Sequence, residues 1–94
     1  MTNILVVIDK TRRKIYMSKE RYKHIMGHNE MQNKLLDIQE ALHKPDIIQS
    51  KEDENVRDYY KYNREIRKYL FVSVKYLNGK GFIITSYYKS KIKK

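Results

Sequence analysis

Arg21, His24 and His28 stand three and four residues apart. On a continuous helix, at about 100° per residue, they fall within about 60° of one another and form one polar stripe. Two imidazoles and a guanidinium carry the groups that cleave RNA through its own 2′-hydroxyl. One His takes the hydroxyl proton, the other protonates the departing oxygen, and the Arg stabilises the crowded phosphate. Gly27 interrupts the stripe: a helix that ends there in the left-handed conformation would carry His28 away from His24. The same pair of histidines, at i and i+4, also has the spacing of metal ligands, with Glu30 as a third. No Glu directly follows His24 as a zinc-protease motif requires, and two neutral ligands among so many cations make a poor cation site. The expectation is therefore no metal and no cofactor. His43 reads as a helix C-terminal residue favoured by the helix dipole.

Seven of the nine tyrosines, clustered at Tyr59-Tyr60, Tyr62, Tyr69, Tyr76 and Tyr87-Tyr88, are interleaved with cations. Bases of unpaired RNA stack on rings while Lys and Arg follow the phosphates. Lys61, Arg64, Arg67, Lys75, Lys89 and Lys91 are the candidates for that second role. The hydroxyls of Thr85 and Ser86 can hydrogen-bond a scissile phosphate, although Ser or Thr in a strand is more often structural. Other tyrosines of the set are strand formers, with their ring bodies in the core and hydroxyls at its rim.

Charge points the same way. The net charge is +10, and it is segregated: +5 over residues 1–29, −4 over 30–54 and +9 over 55–94. Segregated positive charge raises the local potential and attracts polyanions. RNA is thus the expected partner. An acidic antitoxin or immunity protein that covers the basic face is another. The longest purely apolar run, Ile4 to Ile8, is far short of the roughly 20 residues that cross a bilayer, and Met1-Thr2-Asn3 lacks the features of a secretory signal. Together with the absence of cysteine, this predicts a cytoplasmic protein that does not engage membranes.

The elements that must position these residues follow from pattern. At 94 residues the chain makes one domain, 1–94. Residues 1–17 read as a short strand pair joined by a turn at Asp9–Arg13. Residues 18–44 read as two helices. Ser18 caps the first, and Tyr22, Ile25 and Met26 form its apolar face. Asn29 and Gln32 open the second with a capping box, Met31, Leu35, Ile38 and Leu42 form its stripe, and Pro45 ends it. Residues 45–90 read as an antiparallel sheet, with Asn78-Gly79 as the turn of a hairpin and 91–94 as a basic tail. The fold class is α+β: two helices packed on an antiparallel sheet of about four strands, with the strand pair alongside. Regular alternation puts Leu70, Val72, Val74, Tyr76, Ile83, Thr85 and Tyr87 on the helix side. It leaves Phe71, Ser73, Lys75, Phe82, Ile84, Ser86 and Tyr88 on a mixed surface.

The order of Glu20-Arg21-Tyr22-Lys23-His24-Ile25, His28-Asn29-Glu30, Pro45-Asp46-Ile47-Ile48 and Ile83-Ile84-Thr85-Ser86-Tyr87, with a tyrosine-rich and a valine-rich strand between, resembles the phage-associated barnase, EndoU, colicin and RelE-like nucleases. The resemblance runs over roughly 4–91. It implies a barnase–RelE-like fold and metal-independent RNA cleavage, as in toxins and mobile-element proteins. It also implies a site of Arg21, His24, His28, Tyr60 and Thr85. The family-like pattern has a proline after the second histidine and an alanine after the threonine, where this chain has Asn29 and Ser86.

Overall fold

The computed structural model describes residues 3–92. Lys93 and Lys94 of the basic tail, and Met1 and Thr2 of the segment read for a signal, lie outside the described residues. Strands β1 (Asn3–Ile8) and β2 (Lys14–Ser18) lead directly into helix α1 (Lys19–Met26). A 3-10 turn over Asn29–Met31 and helix α2 (Leu35–His43) follow. Then come β3 (Ile47–Ser50), β4 (Val56–Asn63), β5 (Lys68–Leu77) and β6 (Lys80–Lys89).

All six strands join one sheet in the order β1-β2-β6-β5-β4-β3. Every pair is antiparallel except β2–β6, which is parallel. This corrects the expected antiparallel sheet of about four strands with a separate strand pair: the domain is α+β, but its sheet is larger and mixed. Two features account for the difference. The N-terminal hairpin docks through Ile15↔Gly81 and Tyr16↔Phe82, a pairing between the two ends of the chain that leaves no local pattern to read. Gly81 makes it possible, because a Cβ there would collide with Ile15 Cδ1 and come within 2.9 Å of Val74 Cγ1. The sixth strand, β3, is a short edge strand whose two isoleucines are both partly exposed, so it has no burial alternation to betray it.

The core is one layer between the sheet and the helices. Ile25 of α1, Met31 of the 3-10 turn, and Ile38, Ala41 and Leu42 of α2 pack on Ile15, Met17, Tyr59, Val72 and Val74. Ser18 caps α1, its Oγ accepting from the Arg21 N–H at 3.2 Å. Helix α2 starts five residues later than the capping-box reading puts it, its N-cap being Lys34 rather than Asn29. Asn33 takes a positive φ of 64° and breaks the helical path, so Met31 reaches the core from the 3-10 turn. The Asn78-Gly79 turn has positive φ at both residues and joins Leu77 directly to Lys80, as a two-residue type I′ hairpin requires.

A buried polar knot ties the β1–β2 turn to the sheet. Asp9 is 1 % exposed. It accepts from the Thr11 and Arg13 N–H groups, the Thr11 hydroxyl and the hydroxyls of Tyr59 and Tyr76. Those two hydroxyls also lie within hydrogen-bond distance of each other, so their two protons are divided among three contacts, of which Tyr59 to Asp9 is the longest. Burial pushes both phenols above their ordinary range, so they stay protonated and serve as donors.

Candidate active site

The site lies where α1 meets the sheet face turned away from the core. Its position depends on one irregularity. In β6, Ile83 stands opposite Val74 but Thr85 stands opposite Ser73, so Ile84 is an inserted, bulged residue. Beyond it the side chains are transposed relative to simple alternation. Ser86 and Tyr88 turn toward the helices, while Thr85 and Tyr87 turn to the outer face. That corrects the face assignment of these four residues. Ser86 is fully buried and its Oγ donates to the Phe71 carbonyl at 2.8 Å, which commits it to the fold rather than to a phosphate.

The outer face is then built in rows set by strand register. Tyr16, Phe82 and Lys75 form one, Thr85, Ser73 and Asp58 the next, and Tyr87, Phe71 and Tyr60 a third. The middle of this face is closed by its own side chains. Asp58 is buried, accepts from Ser73 Oγ at 2.8 Å and pairs with Lys51 Nζ at 2.8 Å. The hydrogen bond and charge of Asp58 raise the Lys51 ammonium above its ordinary range. Lys89 Nζ lies 4.1 Å from the Phe71 ring centroid and within 6 Å of Tyr60 and Tyr87, a cation over an aromatic floor.

Gly27 does not end α1 in the left-handed region. Its φ is −66°, and the His28 N–H donates to the Ile25 carbonyl at 3.1 Å, so the chain makes another tight turn. His28 therefore stays beside His24. Their rings meet edge to face with centroids 6.0 Å apart, and His28 in turn lies 6.3 Å from the ring of Tyr87. Both histidines are exposed. Arg21, one turn earlier and also exposed, lines a cleft of about 460 Å³ with Tyr16, Phe82 and Lys75. The stripe thus runs along β6 from the Phe82 row at Arg21 to the Tyr87 row at His28. Half-buried Thr85 belongs to the row between them.

The other candidates are dispersed. Tyr60 is 1 % exposed and stacked on Phe71, and two rings, Phe71 and Tyr87, stand between it and His28. Burial first, and then the Asp58 charge, raise its phenol above the ordinary range, so it is a donor and not a base. Lys61 donates to the Lys44 carbonyl and, with Arg64, lines a pocket beside the acidic Asp37 and Glu40 of α2. Arg67 sits at positive φ in the exposed β4–β5 turn, and Lys91 is exposed beyond β6. Lys75 faces the outer surface and pairs with Asp53 at 3.6 Å. Among the described residues no three or more His, Cys, Asp or Glu side chains are gathered so that they could hold a metal ion, and no helix is long and apolar enough to cross a membrane.

No family model matches the chain, and no curated protein or solved structure does. The geometry is therefore the guide to function. It adds Tyr87, Phe71, Tyr16 and Phe82 to the site. Tyr87 takes the place beside the histidines that the resemblance implied for Tyr60. One sequence signal pointed to it: strict alternation put Thr85 among aliphatic core residues, a conflict that an extra residue in the strand removes.

Proposed function

We propose that the protein is a small metal-independent endoribonuclease acting in the cytoplasm, of the toxin or mobile-element kind. The observation that carries this reading is the pairing of His24 and His28 at a centroid separation of 6.0 Å, both open to solvent, with Arg21 one helical turn away. One imidazole removes the proton of a 2′-hydroxyl as its oxygen attacks the adjacent phosphorus. The other donates a proton to the departing 5′-oxygen, so the bond breaks to a 2′,3′-cyclic phosphate and a 5′-hydroxyl. Arg21 neutralises the phosphate as charge gathers on it. Tyr87 lies beside His28, with ring centroids 6.3 Å apart, and Lys89 supplies a further cation. The order of motifs resembling the phage-associated nucleases supports the same reading.

The test is incubation with labelled mixed-sequence RNA in EDTA, with end-group analysis. Fragments ending in 2′,3′-cyclic phosphate are expected, with a loss of about 100-fold or more in His24→Ala. Because His24 is exposed, that variant keeps its fold, which circular dichroism checks. Full activity in His24→Ala removes the histidine from the mechanism.

A second reading is a non-catalytic RNA-binding module. It is favoured by one observation: among the described residues neither imidazole is hydrogen-bonded to a group that would fix its orientation. Intact RNA with binding that weakens steeply as salt rises would select it.

A further inference from the structure

The cleft at the Arg21 end of the stripe has a composition of its own. Tyr16 and Phe82, cross-strand partners on β2 and β6, stack with centroids 5.8 Å apart and planes 27° from parallel. Phe82 is 40 % exposed, so a large apolar ring is left in water beside an opening of about 460 Å³. Ile84 and Leu77 add apolar wall, and Arg21 and Lys75 bring cations to the same opening. Rings and aliphatic side chains with cations at the margin match a nucleotide: a flat, stackable base joined to an anionic phosphate.

We infer that this cleft seats one unpaired base of single-stranded RNA, the base of a nucleotide next to the phosphate held at Arg21 and His24. The inference rests on reading the histidine stripe as an RNA site. Arg21 belongs to both places, lining the cleft and standing three residues, about 4.5 Å along the helix axis, from His24. A phosphate between those two side chains leaves its neighbouring base within reach of Phe82. Glu20, also at the cleft, repels phosphate and accepts hydrogen bonds from N–H groups. It therefore favours the base inside and the backbone on the histidine side. A base paired in a duplex has both faces covered by its stacked neighbours and cannot lie on these rings, so the cleft selects unpaired strands.

The test uses a short oligoribonucleotide that carries 2-aminopurine and, at each position 5′ of a phosphate, a 2′-O-methyl ribose, so that it cannot be cleaved through a 2′-hydroxyl. Binding to the wild-type protein is expected to quench the 2-aminopurine. Phe82→Ala is expected to weaken binding about tenfold or more and to abolish the quench. Phe82→Leu keeps apolar volume and so guards against a folding defect; it is expected to lose the quench as well. Binding of a duplex should be the same for all three proteins. Unchanged single-strand affinity and quench in Phe82→Ala would overturn the base seat. So would an equal loss on the duplex, or a wild-type dimer that Phe82→Ala dissolves, which would make the cleft a contact between copies. Because the probe cannot be cut, the result stands apart from catalysis. Quenching by a protein that leaves ordinary RNA intact would sink the ribonuclease reading and keep the base seat, while RNA cleavage with an unaltered Phe82→Ala would do the reverse.

Discussion

Thr85 faces Ser73 across the β5–β6 pair, although Ile83, only two residues earlier, faces Val74 on the neighbouring position. That single extra residue turns Thr85 and Tyr87 to the surface bordered by α1 and sends Ser86 and Tyr88 inward. Were the same residues to alternate regularly, with Ile84 paired in the ladder, the ring that meets His28 would lie in the core. Bulges commonly re-aim side chains in this way at functional edges of sheets.

Gly81 is where the N-terminal hairpin meets the rest of the sheet. A methyl group there would collide with Ile15 Cδ1 and crowd Val74 and Tyr76. Gly81→Ala should therefore destabilise the protein by about 1–3 kcal/mol, the usual cost of overpacking. Urea unfolding would show a lower midpoint with little change in slope. An unchanged midpoint would mean that Ile15 swings aside freely and that the β2–β6 seam is loosely packed.

What the sequence made legible divides along lines of locality. The Ser18 cap, the apolar face of α1, the aliphatic side of β5 and the Asn78-Gly79 turn are all determined within a few residues, and each is found. The β2–β6 pairing joins residues more than 60 apart and depends on a missing side chain, which no periodicity expresses. The bulge at Ile84 left only one trace, Thr85 falling among aliphatic core residues, because Ile-Ile-Thr-Ser-Tyr-Tyr otherwise satisfies alternation in either phase and packing against Val74 and the helices decides. For the candidate site, the Arg21–His24–His28 spacing was visible, but whether Gly27 would split it depended on a φ angle that glycine leaves free.

Asp9 links acid stability to the N-terminal hairpin. Burial opposes its ionisation, but hydrogen bonds from Tyr76, Thr11 and Arg13 outweigh it and hold the carboxyl below its ordinary value of 3.8. A folded-state pKa below the unfolded one contributes stability that is fully present above about pH 4 and is lost as pH falls through the lower folded value. Asp9→Asn should thus cost about 1–3 kcal/mol at neutral pH and flatten the fall in stability below pH 4. Urea midpoints measured from pH 7 to pH 2 would reveal both effects. An acid limb as steep as the wild type would show that another carboxylate governs it.

Lys89 lies over Phe71 with Tyr60 and Tyr87 around it, on the side of the site opposite the Arg21 cleft. If it meets a phosphate, Lys89→Ala should lower RNA affinity and reduce the slope of log affinity against log salt by about 1. Titrations at several salt concentrations give that slope. A slope equal to the wild type would confine Lys89 to shielding the rings beneath it.

Deleting Ile84 tests the bulge itself. Removing the inserted residue lets Thr85 follow Ile83 directly, opposite Ser73, with Ser86 and Tyr88 still facing the helices. The core pattern survives, so the variant should fold. A bulge also bends and twists its strand, however, and without it Thr85 and Tyr87 shift against α1 and the histidines. Displacement on the order of 1 Å is enough to cost about 100-fold in a positioned reaction. The expected outcome is a folded protein, seen in a cooperative melt, with RNA cleavage lowered by about two orders of magnitude and RNA binding changed far less. Wild-type cleavage in the deletion would show that the bulge serves only to relieve the strand, and that the histidine stripe works without the row of side chains beside it.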